Sequence, residues 1–192
     1  MGLTEGHQAK TVWENPAEIV RSLHPENPVM VFAPTVLQDR ARAFLAGFPG
    51  LVTYAVKSNP DEAVIQNLVT AGIKGFDLAS PFEIDLVGRL APGAARHYHN
   101  PIRSPREIAH AVREGVLAWS VDSRSELDKL IAQVPTQMDG KGVEISARFK
   151  LPVSGAAYEF GSKFGATPDL AADLLRLVAE RGYVASLTFH PG

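Results

Sequence analysis

The feature that most constrains this chain is an alternation. Short runs rich in β-branched and aromatic residues recur as VMVFAP (29–34), LVTYAVK (51–57), GFDLA (75–79), ARHYHN (95–100), LAWSVD (117–122), VEISARFK (143–150) and VASLTFH (184–190). Between them lie stretches of helical period at 35–47, 60–71, 81–90, 104–114, 123–133 and 167–181, with one more short helix near 16–23. Strands that alternate with helices build a parallel sheet of βα units, because parallel neighbours need a crossover between them. The helix starts are marked chemically. Asn59-Pro60, Ser80-Pro81, Ser104-Pro105 and Thr167-Pro168 each place a capping side chain before a proline at the first helical position, and Ser123 with Glu126 has the spacing of a capping box. Gly72, Gly115 and Gly182 stand where helices end.

Two architectures share this pattern, an open doubly wound sheet and a (β/α)8 barrel. The first run is not followed by a G-x-G-x-x-G fingerprint, and the chain has no P-loop. That favours a partial (β/α)8 TIM barrel, with six of eight strands counted from residue 51. A whole barrel takes roughly 250 residues. The expected organisation is an N-terminal arm over 1–28, then a barrel over 29–192 that opens with an extra strand and is truncated after strand six.

Composition removes several function classes. There is no cysteine, hence no disulfide framework or thiolate metal site within these residues. The formal net charge is −2 without a basic cluster, which gives no support for nucleic acid or an anionic membrane as partner. No apolar run approaches the ~20 residues of a membrane span, and the N-terminus lacks the apolar core of a secretory signal. The expectation is a soluble cytoplasmic protein.

Barrel chemistry sits at the C-terminal ends of strands. Alternation along each strand sends Thr53, Ala55 and Lys57 inward, and likewise Asp77, Asp122, Arg148 and His190. Lys57, Asp77, Asp122, Arg148 and His190 therefore converge on one mouth, each from its own strand, with small neighbours such as Ala55 leaving room. His97 and His99, two apart on one strand, have a spacing that can bind metal, but no further ligand cluster completes a site. The expectation is no metal. The Gly- and Ser-rich segment 152–162 reads as a loop over the mouth.

These residues also fall into motifs. Tyr54-Ala-Val-Lys-Ser-Asn59 resembles the lysine motif of the fold-type III, pyridoxal-phosphate-dependent decarboxylases, the ornithine/diaminopimelate/arginine decarboxylase family, whose barrel is of alanine racemase type. Phe76-Asp77-Leu-Ala-Ser80 with Glu83, Tyr98-His-Asn-Pro101, Val121-Asp-Ser123 with Glu126-Leu127, Arg148, Lys163-Phe-Gly165 and Phe189-His190 follow in that family's order. FKLPVSGAAYEFGSKFGA looks most like bacterial ornithine decarboxylases. The resemblance implies pyridoxal 5'-phosphate as cofactor, carried on Lys57 as an imine. It places Ala55, Asp77, Arg148 and His190 around the cofactor and Glu83 near the lysine. It implies decarboxylation of a basic, ornithine-like amino acid to a polyamine precursor by a homodimer. The family's phosphate-binding glycine loop lies past strand six, so the 192-residue chain by itself is expected to be inactive. Diaminopimelate decarboxylase, an amino-acid racemase of the same fold and a non-catalytic regulatory paralogue are the alternatives.

Overall fold

The computed structural model describes residues 11–150 and 164–190. It divides into two compact units, residues 1–34 and 35–192. The first holds helix α1 (Pro16–Leu23), whose Asn15 side chain accepts from the Glu18 amide with Pro16 at the first helical position. The helix ends at His24, which adopts a left-handed φ of 43°.

The second unit carries the alternation read from the sequence. Helix α2 (Pro34–Gly47) precedes β1 (Thr53–Ala55), α3 (Glu62–Ala71), β2 (Gly75–Leu78), α4 (Pro81–Leu90), β3 (Ala95–Tyr98), α5 (Pro105–Arg113), β4 (Ala118–Val121) and α6 (Arg124–Ile131). A hairpin of two-residue strands, β5 (Gln137–Met138) and β6 (Lys141–Gly142), comes next, then β7 (Glu144–Arg148), α7 (Pro168–Glu180) and β8 (Val184–Thr188). The six main strands form one sheet in the order β1-β2-β3-β4-β7-β8, every neighbouring pair parallel. This is the partial barrel that the strand spacing implied.

The two sides of the sheet differ in chemistry. Phe76, Leu78, Tyr98, Trp119, Val121, Ile145 and Ala147 are all at most 1% exposed and join one apolar cluster with Ile65, Ile84, Ile108, Leu127 and Leu174 of the helices. Burying one such side chain fully contributes about 1.5–3 kcal/mol. The alternate positions, among them Asp77, His97, Ser120, Ser146 and Arg148, carry polar groups. Ser146 and Ser186 meet hydroxyl to hydroxyl at 2.6 Å, and Ser186 donates to Glu144. Period-2 alternation thus sorts an apolar helix side from a polar inner side.

Four local expectations are corrected. Residues 29–33 form no strand, and Pro34 opens a helix instead. Val29, Met30, Val31 and Phe32 are exposed, and a β-prone run without a neighbouring edge has nothing to satisfy its backbone. Strand β1 stops at Ala55, and Val56–Ser58 turns into a 3-10 helix that carries Lys57. Asn59 does not cap α3. Asp61 does, accepting from the Ala63 amide, while Asn59 accepts from Asp61. At α6 only half of the capping box forms: Ser123 accepts from the Glu126 amide, but the Glu126 side chain turns to Lys129 at 2.5 Å. The full box forms at Ser104 and Glu107 instead. The β5–β6 hairpin adds an element to the expected order. Asp139-Gly140 is its turn signal, and both residues take positive φ, 49° and 73°.

Candidate active site

At the C-terminal ends of the strands lies a cavity of about 370 Å³, within the roughly 300–1,000 Å³ usual for small-molecule sites. Lys57, Asp77, His99, Arg148 and His190 line it. Each comes from a different element: the turn after β1, β2, the end of β3, β7 and the end of β8. Register explains the convergence. Ala55 pairs with Asp77, Asp77 with His97, and Arg148 with Thr188, so successive strands present inward side chains at one level.

Of the residues singled out in the sequence, Lys57, Asp77, Arg148 and His190 line the cavity, and Ala55, Glu83 and Asp122 do not. Ala55 ends β1 and its carbonyl accepts from the Ser58 hydroxyl. Glu83 is buried in the first turn of α4, where its carboxylate accepts from the Ala79 amide at 2.8 Å and so ties the end of β2 to the helix start. Asp122 accepts from the Gly165 amide at 3.0 Å. Segment 152–162 lies outside the described residues.

Asp77 is the electrostatic centre. Burial pushes its carboxyl up to about 6; the nearby Lys57 and Arg148 charges work against the rise and Glu83 adds to it. His99 stands beside it with Nδ1 3.5 Å from Asp77 Oδ1. Burial pulls the His99 imidazole down to about 4, assisted by His97, Arg103 and Arg148, so it is neutral at pH 7. Among the described residues, Asp77 Oδ1 and His99 Nε2 are both buried without a hydrogen-bond partner. Arg148 lies 5.7 Å from the centre of the Phe164 ring, a cation–π distance.

From the sequence, His99 stands out as half of a metal-spaced pair and as a member of the Tyr98-His-Asn-Pro101 motif, with no role assigned to it in either. Its ring lies 5.2 Å from that of His97, and among the described residues neither belongs to a group of three potential ligands. Its place in the cavity follows from β3 ending at Tyr98. Inward alternation, the signal that marks the other strands, also points to it.

Residues 35–192 match the model of the pyridoxal-dependent decarboxylase family, pyridoxal binding domain. The chain belongs to this family. It is 36% identical over 142 residues to the ornithine decarboxylase of Caenorhabditis elegans, a match that covers 72% of this chain and 32% of that one. It is 30% identical over 143 residues to the lysine/ornithine decarboxylase of Selenomonas ruminantium, covering 73% of this chain and 35% of the relative. Among solved structures, lysine/ornithine decarboxylase from Vibrio vulnificus complexed with putrescine superposes with a TM-score of 0.72 at 26% identity, over 92% of this chain and 44% of that one. The arginine decarboxylase of Paramecium bursaria Chlorella virus gives 0.72 at 27%, over 83% of this chain and 43% of the other. The chain thus spans roughly a third to under half of the length of these relatives.

The cofactor that this pyridoxal binding domain implies is pyridoxal phosphate, and the residues present fit it. An aldehyde needs an amine, and among the described residues Lys57 is the one lysine that lines the cavity. A polar heteroaromatic ring with a hydroxyl needs hydrogen-bonding partners, and His99 Nε2 is a buried atom without a partner among the described residues. An anionic group needs cationic company, which Arg148 supplies.

Proposed function

We propose that this chain is the cofactor-binding part of an enzyme that removes the carboxylate of a basic amino acid, ornithine or a near homologue, as carbon dioxide, yielding a polyamine precursor. The observation that carries the reading is a lysine, a buried carboxylate and an arginine gathered in one cavity of a pyridoxal-dependent decarboxylase chain. Relatives that carry ornithine, lysine and arginine in their names point to a basic side chain on the substrate. A homodimer in the cytoplasm completes the proposal; the cysteine-free sequence suits a reducing compartment, and among the described residues no helix is long and apolar enough to cross a membrane.

Lys57 is the residue that would bind the cofactor covalently. When bound, pyridoxal phosphate supplies the aldehyde for amine exchange and a ring that accepts the electrons left behind as carbon dioxide departs. Arg148 and His190 would hold the cofactor, Arg148 as a fixed cation and His190 from the rim of β8. Asp77, close enough to feel the Lys57 charge, holds negative charge beside that amine at neutral pH and can take up the proton the amine must lose to become a nucleophile. Glu83 supports Asp77 from behind by fixing the Ala79 amide.

The test is chemical labelling. The purified chain is incubated with pyridoxal phosphate, reduced with borohydride and mapped by peptides. The expected label is on Lys57, and Lys57→Ala should lose it. A label on Lys150 in place of Lys57, or equal labelling of the variant, overturns the assignment. Release of carbon dioxide from ornithine, lysine, arginine and diaminopimelate by the protein that contains this chain ranks the substrates. Activity on diaminopimelate alone would overturn the ornithine-like reading.

A further inference from the structure

One strand-end histidine lines the cavity inside the Tyr98-His-Asn-Pro101 motif, and neither that motif nor the proposed function gives it a role. His99 follows the last residue of β3. The backbone around it is pinned on both sides. Its own carbonyl accepts from the Ser120 hydroxyl at 2.8 Å, and the preceding carbonyl, of Tyr98, accepts from the Arg103 guanidinium at 3.0 Å. On the other side the Asn100 amide reaches the Ala79 carbonyl at the end of β2, at 3.4 Å. The ring is thereby held against Asp77, with Nδ1 facing Oδ1 at 3.5 Å.

An ionised carboxylate can only accept hydrogen bonds. The nitrogen that faces it must carry the proton, and a neutral imidazole has one N–H. Placing it on Nδ1 leaves Nε2 as a bare lone pair. That atom is buried, and among the described residues no donor reaches it. A buried acceptor is costly to leave unmet, so its natural partner is a group that enters the cavity.

We propose that His99 is a positioning residue for Asp77, holding its carboxylate through Nδ1–H and offering Nε2 as an acceptor to an O–H or N–H of the bound cofactor or substrate. The first half stands on the geometry of the chain alone. The second rests on the reading of this cavity as the pyridoxal phosphate site. The 3.5 Å separation shortens as the cavity fills, since site hydrogen bonds are commonly long before ligand binds. The pair is faced by Lys57 from the turn after β1, Glu83 from α4, His97 from β3, Arg103 from the segment before α5 and Arg148 from β7. Arg148 favours an anionic Asp77, and Arg103 and Arg148 both favour a neutral His99.

The experiment uses the full chain labelled with 15N-histidine and 13C-carboxyl aspartate. The chain has six histidines, and His99→Asn assigns the resonance of His99. At pH 7, long-range 1H–15N correlation should show Nδ1 protonated and Nε2 unprotonated. The opposite tautomer, or an imidazolium, overturns the proposal. The titration of Asp77 provides the second readout. His99→Phe keeps a ring but removes the donor and should raise its midpoint by about one pH unit, a tenfold change in proton affinity. His99→Asn, whose amide stands where Nδ1 does, should leave the midpoint close to that of the unaltered chain. Equal shifts in Phe and Asn variants would mean that His99 only fills space. Addition of pyridoxal phosphate followed by borohydride should move the Nε2 resonance. Lys57 labelled with Nε2 unmoved overturns the acceptor role. Absence of label at Lys57 overturns the cofactor reading and the acceptor role with it, and the pairing with Asp77 then stands or falls on the tautomer and the titration.

Discussion

Two buried clusters of charge stand within a few residues of each other, and they are finished differently. Arg103 is 2% exposed. Its guanidinium donates to the carbonyls of Tyr98 and Ser120 and lies 5.4 and 5.6 Å from the ring centres of Tyr98 and Trp119. Its own carbonyl accepts from Lys129, which pairs with Glu126. Burial pulls Arg103 down to about 10, so it is still a cation at neutral pH. Around the mouth, by contrast, Asp77 and His99 are about 30% and 27% exposed through their side chains, and each keeps a buried polar atom unpaired. The Arg103 charge is enclosed by the fold's own carbonyls and rings; among the described residues its Nε, the Tyr98 hydroxyl and Glu126 Oε2 are left over there, none of them on a residue that lines the cavity. A charge that serves a ligand is left half-finished on the side from which the ligand comes.

The largest effect expected from breaking this contrast is at Arg103. Arg103→Met removes the cation but leaves the two carbonyls and Glu126 in place. Loss of one partner of a buried charge costs about 3–5 kcal/mol, and urea unfolding should show it. A loss below about 1 kcal/mol would mean that the cluster is not the staple described.

The mouth should respond to pH rather than to deletion. Asp77 has a folded value of about 6, raised from 3.8, so the folded state binds more protons and loses stability as pH rises from about 4 to 6. His99 has a folded value of about 4, lowered from 6.5, so the folded state binds fewer protons and gains stability from about pH 4 to 6.5. In the unaltered chain the two slopes oppose each other. Asp77→Asn should expose the rising slope and His99→Asn the falling one, each about 1–3 kcal/mol across the window. Thermal melts at pH 4, 5, 6 and 7 measure both, and parallel profiles in the two variants would contradict the assignment of burial as the cause.

Smaller effects bracket the comparison. Ser104 caps the helix that follows Arg103, and Ser104→Ala should cost about 1 kcal/mol by losing the bond from the Glu107 amide to the Ser104 hydroxyl, while the backbone amide of residue 104 can still donate to Glu107. Tyr98 lies inside the enclosed cluster: among the described residues its hydroxyl is buried without a partner, as are Arg103 Nε and Glu126 Oε2, and burial pushes the Tyr98 hydroxyl up to about 12. Tyr98→Phe should therefore leave stability unchanged or raise it by up to about 1 kcal/mol, and a clear loss in the same urea assay would reveal a hydrogen bond at that hydroxyl.

Much of this is legible in the chain before folding. The parallel order of the six strands follows from their spacing, and three of the four Ser/Thr/Asn-Pro caps stand where expected, at Ser80, Ser104 and Thr167. Alternation finds Asp77 and Arg148 because β2 and β7 run unbroken through them. It reaches Lys57 for a different reason, since a 3-10 turn replaces the strand there. The run at 29–33 misleads because β-propensity describes a fit to neighbours, and propensity contains no information about whether a neighbour exists.

By itself the sequence determined the alternation of elements, the sorting of apolar and polar residues onto opposite sides of each strand, and the family to which its motifs belong. These are properties of local periodicity and local chemistry, and periodicity is written in the chain. Tertiary structure decided which polar residues remain unfinished. Glu83 became a brace for the Ala79 amide, Asp122 an anchor for Gly165, and His99 a neighbour of Asp77. The partners of Asp122 and His99 lie far along the chain, Gly165 in the connection before α7 and Asp77 on β2, so the same side chain is support or site according to what the fold brings beside it.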